Sequence, residues 1–138
     1  MNDITSSMGL VQLKKLPGFI KRRQEIHDLY CEGLANIDWL ILPPGLSEDC
    51  KSSYYFFWIQ VKNNARDQLA LYLKSNKIYT TFRYYPLHKV KYFQSDALLK
   101  NAEMASNNTL CLPMHQSLSN SDINKIIESI NNFSAIIK

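Results

Sequence analysis

The chain has 138 residues, of which 46% are hydrophobic, 20% charged and 12% aromatic, and it carries a formal net charge of +4. These values describe a folded protein with one core and exclude a disordered or fibrous chain. No run approaches the roughly 18 consecutive apolar residues of a membrane span, and the first residues lack the basic-then-apolar pattern of a secretion signal, so a soluble cytoplasmic protein is expected.

The chain begins at once with a helical pattern. Asn2 or Asp3 can accept hydrogen bonds from free amides at a helix start, and Ile4, Met8 and Val11 follow at spacings of four and three. Leu10, Leu13 and Leu16 widen the apolar face beyond one stripe, which implies more than one neighbouring surface. Pro17 lacks an amide hydrogen, so the helix is expected to end or kink there. A second segment then runs over residues 19–34 with Phe19, Ile26, Tyr30 and Leu34 inward. The cluster Lys14, Lys15, Lys21, Arg22 and Arg23 reads as a solvated helix face.

"LPPGLSEDCKSS" is a loop by composition. The aromatic and β-branched run "YYFFWIQV", residues 54–61, predicts a strand central in a sheet and covered on both faces. Asn63 or Asn64 is expected to cap a helix with Ala65, Leu69, Tyr72 and Leu73 inward. "IYTTFRYY" predicts a further strand, closed by Pro86. Ser95 and Asp96 predict the start of a helix whose face is Ala97, Leu98, Leu99, Ala102 and Ala105. "TLCLP" reads as a short buried strand. Ser119 with Asp122 three residues on imitates a capping box, and Ile123, Ile126, Ile127, Ile130 and Phe133 form an amphipathic stripe. The expected fold class is α/β, a small sheet packed against helices.

The densest polar and aromatic stretch is "TTFRYYPLHK", residues 80–89. There Thr81, Arg83, Tyr85 and His88 gather beside a proline-stiffened turn, able to hold a phosphate or carboxylate between aromatic walls. The same residues also admit a plain role, with the tyrosines in core or edge positions and His88 on a loop carbonyl. Cys111 and His115 lie four apart around Pro113 with no second pair, so no metal site is expected. The three cysteines, Cys31, Cys50 and Cys111, have no paired spacing and are expected to be reduced. No glycine-rich phosphate loop, HExxH or GxSxG occurs. The aromatic strand lacks the glycine and basic spacing of a nucleic-acid-binding sheet, so neither nucleic acid nor membrane is an expected partner.

Four segments together resemble one family. "MNDITSSMGLVQLKKLPGFIKRR" resembles the connecting helix of DegT/StrS-type sugar aminotransferases. "SSYYFFWIQV", "LKSNKIYTTFRYYPLH" and "LCLPMHQSLSNSDINKIIESINNF" resemble that family's later strand, its active-site loop strand, and its terminal "LSLPMYPxLT" with the helix that follows. The resemblance implies the C-terminal small domain of a fold type I enzyme dependent on pyridoxal phosphate. On that basis residues 1–138 form a single domain, with a connecting helix over 1–35, kinked near Pro17, and a small α/β domain over 50–138.

Members of the family are usually homodimers that move an amino group, commonly from glutamate, onto a keto-sugar carried by a nucleoside diphosphate. Their large N-terminal domain holds the Schiff-base lysine and most of the cofactor cradle, and nothing here resembles it. The resemblance therefore implies no catalytic or cofactor-binding residue in this chain. It implies substrate-binding roles for Arg83, Tyr85 and His88, and pyridoxal phosphate only in the intact enzyme. The expected partners are the large catalytic domain, or a second copy through the first helix. Tyr55 departs from the pattern, since many members have histidine there. The alternatives are a stand-alone, non-catalytic interaction or nucleotide-ligand-binding module, and one half of a split enzyme.

Overall fold

A computed structural model describes residues 2–93 and 95–133. The elements are α1 (Asp3–Leu34), β1 (Leu40–Ile41), β2 (Phe57–Val61), α2 (Arg66–Ser75), a 3₁₀ turn (Leu87–Lys89), α3 (Lys100–Asn108), β3 (Thr109–Leu112) and α4 (Asn120–Phe133). The three strands form one antiparallel sheet in the order β1-β2-β3. Along β2 the inward residues Phe57, Ile59 and Val61 are buried, while Trp58 and Gln60 are only partly covered. The second half of α1 packs on α4, and α4 on α2. Ile26, Tyr30 and Leu34 from α1, Leu69 and Leu73 from α2, and Ile123, Ile130 and Phe133 from α4 close the core over that face.

Asn2 caps α1 as expected, its side chain accepting from the Thr5 amide at 2.9 Å. The helix does not end at Pro17. It runs as one helix of 32 residues with Pro17 inside it. The proline removes one donor, but at an exposed position water can serve the released carbonyl, and the turns beyond are anchored in the core. From Asp3 to Gly18 nothing on α1 is buried: Ile4, Met8, Leu10 and Leu13 are each more than 60% exposed. The helix meets the body only from Phe19 onward, so its widened apolar face is uncovered.

The central strand is three residues shorter than "YYFFWIQV" suggests. Phe57 pairs with Leu112, and the next position on β3 is Pro113, which has no amide to give. Tyr54 instead turns, with φ of 47° and its amide on the Ser52 hydroxyl. β1, which pairs Leu40 with Val61, was hidden in "WLIL", too short a run to separate from the loop after it. Asn63 and Asn64 do not cap α2. Both adopt left-handed φ, 59° and 56°, forming the tight turn after β2, and Ala65 takes the cap position.

The strand expected in "IYTTFRYY" is reduced to a single bridge, Thr81 to Cys111. The outer edge of β3 explains this. Thr109 spends its amide on Ala105 and its carbonyl on Arg66, and Pro113 has no amide, so only Cys111 can pair with an incoming chain. α3 starts later than expected, at Lys100, because the Ser95 hydroxyl makes a local turn with the Ala97 amide. None of its residues is buried, and Leu98 and Leu99 are exposed. At α4 the capping box is complete: the Ser119 amide donates to Asp122 Oδ2 at 3.0 Å and the Asp122 amide to Ser119 Oγ at 3.1 Å. Among the described residues no helix is long and apolar enough to cross a membrane.

Leu69 is fully buried where α2 meets the core. Leu69→Ala is expected to lower unfolding stability by about 2–5 kcal/mol in urea titration, whereas truncation of exposed apolar residues on the first half of α1, such as Met8→Ala, should change it by less than about 0.5 kcal/mol.

Candidate functional site

The end of α2 begins the site. Asn76 closes the helix, the Lys77 amide returns to Lys74 O at 3.0 Å and the Ile78 amide to Leu73 O at 2.9 Å, the paired bonds of a Schellman stop. Ile78 is thereby turned into the core against Leu73, and Lys77 sits in the left-handed region with φ of 62°. From there the chain crosses the open edge of β3 at Thr81 and leaves as an exposed loop. Between that loop, the end of β3 and the first turns of α4 lies an open cavity of about 520 Å³. Ile78, Leu112, Met114 and Ile126 give it an apolar floor, Tyr55, Phe56 and Tyr79 give it aromatic walls, and Lys77, Arg83 and Lys125 give it positive charge.

Arg83 is placed by its neighbours. Its Nη1 donates to Tyr55 Oη at 3.0 Å, and the guanidinium stands 5.8 and 5.9 Å from the Tyr55 and Tyr84 ring centroids. The hydrogen bond to the Tyr55 hydroxyl, joined by that of Tyr84, moves its pKa further upward, so the charge is permanent. The single carboxylate on the cavity lining, Asp122, is engaged in the α4 cap. The Ser119 hydroxyl and amide hold its pKa below the usual carboxylate value. Cys111, also on the lining, is a protonated thiol at neutral pH, because burial raises its pKa more than nearby Arg83 lowers it. The lining can therefore bind an anion but presents no activated thiolate.

The three residues expected to contact substrate do not converge. Arg83 lines the cavity, whereas Tyr85 and His88 do not. Tyr85 is 68% exposed on the loop. The His88 side chain is only 8% exposed and its Nε2 lies 3.1 Å from Glu103 Oε1 on α3, while Lys89 Nζ takes Glu103 Oε2. The 3₁₀ turn is thus pinned to α3 by one carboxylate bridging two cationic or potentially cationic groups. Lys89, and then His88, depress the Glu103 pKa. Sequence reading did not find Lys77, Tyr79 or Lys125. Lys77 follows the helix-stopping "SN", and only the stop aims it here; Lys125 lies one turn into α4, one of its exposed positions. Among the described residues no group of acidic, histidine or cysteine side chains could hold a metal ion.

Comparison with known proteins gives a consistent picture. The model of the DegT/DnrJ/EryC1/StrS aminotransferase family matches residues 1–131. The dTDP-4-dehydro-2,3,6-trideoxy-D-glucose 4-aminotransferase of Saccharopolyspora spinosa is 42% identical over 92% of this chain, which spans 33% of that protein. The GDP-perosamine synthase of Escherichia coli O157:H7 is 32% identical over 96% of this chain and 36% of its own length. In the crystal structure of the aminotransferase TlmJ from Streptoalloteichus hindustanus, 38% of that chain superposes on all of this one with a TM-score of 0.96 and 43% identity. The chain thus spans about a third of the length of the relatives it matches.

The Glu103 clamp has a defined pH dependence. Because its pKa in the folded protein lies below the ordinary value of 4.5, its contribution is complete above that value and is lost as pH falls through the lower folded value. The protection of the amides in the turn Leu87–Lys89, relative to the intrinsic exchange rate at each pH, is expected to fall on acidification below pH 4.5, and Glu103→Gln should lower it at neutral pH and remove that acid step. An unchanged exchange rate in the variant would contradict the clamp.

Proposed function

Because the chain belongs to the DegT/DnrJ/EryC1/StrS aminotransferase family, we propose that it is the C-terminal, small-domain portion of a pyridoxal phosphate-dependent enzyme that aminates a keto-sugar carried by a nucleoside diphosphate. The observation that carries this reading is the family match over nearly the whole chain, combined with a span of only about a third of its relatives. The relatives' names speak of dTDP- and GDP-linked sugars, and one solved neighbour, from Streptococcus pneumoniae at 27% identity, was determined in its PLP form.

The described residues do not fit that cofactor by themselves. A Schiff-base lysine must be screened from bulk water and faced by an acidic partner for the ring nitrogen. Every described lysine is solvent-exposed, and the one carboxylate on the cavity, Asp122, is committed to a helix cap. The covalent anchor is accordingly assigned to a separate catalytic body. The apolar face on the first half of α1 and the exposed rings of Phe82, Tyr84 and Tyr85 are the surfaces that such a body would cover. This chain then supplies one wall of the cleft: Arg83 meets the acidic part of the substrate, Tyr85 offers a ring, and His88 acts through the Glu103 clamp that holds the turn beneath them.

The direct experiment is a chimera in which residues 4–131 replace the matching third of the S. spinosa enzyme. It is expected to bind pyridoxal phosphate and transfer an amino group, and Arg83→Ala in the chimera should raise KM for the sugar nucleotide about 10-fold or more with a smaller change in kcat. A folded chimera that takes up the cofactor but never aminates any sugar nucleotide would count against the reading. Alone, the chain should self-associate through α1 in sedimentation experiments. Val11→Lys with Met8→Lys is expected to make it monomeric and to remove the concentration dependence of its unfolding midpoint; a wild-type monomer would instead favour a stand-alone module.

A further inference from the structure

Arg22 belongs by composition to a basic stretch expected to be a solvated helix face, and the structure uses it otherwise. Its side chain is only 24% exposed. Nη2 donates to the Leu118 carbonyl at 2.7 Å and to Asn120 Oδ1 at 2.8 Å, while Nη1 donates to Glu25 Oε2 on the same helix at 3.0 Å. We propose that Arg22 is a positioning residue for the cavity, holding the wall formed by residues 113–118 at a fixed place against α1. The tie is a property of this chain; only the use made of the cavity rests on the reading above.

The wall has little else to place it. Between the end of β3 at Leu112 and the start of α4 at Asn120 the chain belongs to no strand or helix, yet Pro113, Met114, His115 and Leu118 all line the cavity. Internally the segment is closed by a turn, the Leu118 amide donating to the His115 carbonyl at 3.1 Å. Its two ends are held from α1. Tyr30 Oη donates to the Pro113 carbonyl at 2.9 Å, and Arg22 reaches the Leu118 carbonyl at the other end. Tyr30 and Arg22 stand about two helical turns apart, so α1 lies along the segment as a splint.

The side chain suits the task. A guanidinium presents five donors in a rigid plane, so one group serves a carbonyl and an amide oxygen together while Glu25 sets its orientation. Hydrogen bonds from a charged donor are also stronger than neutral ones. Arg23, of equal charge, instead donates back along its own helix to the Phe19 carbonyl at 3.4 Å. The splint is itself fixed, because Ile26, Tyr30 and Leu34 anchor this half of α1 in the core. Met114 and Leu118 pack partly against that core, so loss of Arg22 should loosen the wall without unfolding the domain. A wall that moves degrades every contact a substrate makes with it, in the ground state and the transition state alike.

Methyl relaxation dispersion on the 138-residue chain tests the tie. Arg22→Met keeps the aliphatic stem and removes the donors. It is expected to raise the population of a displaced wall about 10-fold, seen as exchange broadening of the Met114 and Leu118 methyls, with Ile59 and Ile130 quiet because global opening stays far rarer. Arg22→Lys, which keeps a charged donor, should fall between that variant and wild type, and Asn120→Ala, which removes one of two acceptors, should broaden the same methyls less. Arg23→Met makes the same change of charge and should leave them quiet. In the active chimera Arg22→Met should raise KM for the sugar nucleotide about 5-fold with kcat changed less than about 2-fold, while Arg23→Met alters neither. Quiet wall methyls in Arg22→Met, equal broadening in Arg23→Met, broadening spread through Ile59 and Ile130, or a loosened wall with an unchanged KM would each overturn the assignment. Broadening confined to the wall beside an inactive chimera would uphold the tie and sink the family function, and an active chimera with a quiet wall in Arg22→Met would do the reverse.

Discussion

The molecule is held together by one apolar seam, in which the inner face of β2 and β3 is roofed by the second half of α1, by α2 and by α4. Phe57 sits at its centre with its ring 5.0 Å from that of Tyr30, whose hydroxyl reaches across to the Pro113 carbonyl at 2.9 Å. Burial pushes the Tyr30 pKa well up, so that phenol stays a donor across the physiological range. Gly33 is part of the same seam: a Cβ there would stand 2.7 Å from the Ile127 side chain, so the close approach of α1 and α4 depends on its absence. With the sheet roofed on this face, the far edge of β3 is left to organise the site. One bridge at Thr81 is all that edge can support, and the chain is released into the loop that carries Arg83.

The seam accounts equally for what it does not cover. α1 enters it only in its second half, and the first half projects as a helix whose leucines, isoleucine, valine and methionine face solvent. An isolated helical stretch of this length is marginal in water unless something packs on it. α3 and the loop before it add a second uncovered set, including Phe82, Tyr84, Tyr92 and Leu98. A complete core beside two bare apolar surfaces fits the proposal that a further body covers them. That agrees with a chain matching about a third of aminotransferases whose family it shares. The proposed function divides the labour accordingly, with binding groups and aromatic walls here and the covalent anchor for the cofactor elsewhere.

Much of this was legible where one residue pattern had one physical solution. The isoleucine stripe and the Ser119–Asp122 cap specified α4, the aromatic and β-branched run ending at Val61 specified the central strand, and ordered short motifs carried the family. The sequence misled where the outcome depended on partners distant in the chain. "IYTTFRYY" has strand composition, but only the prior commitments of Thr109 and Pro113 reveal that β3 has no edge left to offer it. Pro17 has the local signature of a helix end, overruled because exposure lets water serve the freed carbonyl while distant core contacts hold the helix beyond. His88 read as a substrate contact or as a partner of a loop carbonyl, whereas its partner Glu103 lies 15 residues away on a helix that begins later than its composition suggests. Lys77 and Lys125 were illegible for the same reason, since a Schellman stop and a helix docked by its opposite face bring them to one cavity.

The central claim is that α1 is two helices in energetic terms, one half owned by the core and the other awaiting a larger body. Amide hydrogen exchange on the monomeric chain, resolved along α1, measures this most directly. Protection near that of global unfolding is expected around Ile26, Tyr30 and Leu34, falling to little more than a fraying helix between Ile4 and Leu13. Uniform strong protection along the whole of α1 in a verified monomer would contradict the account.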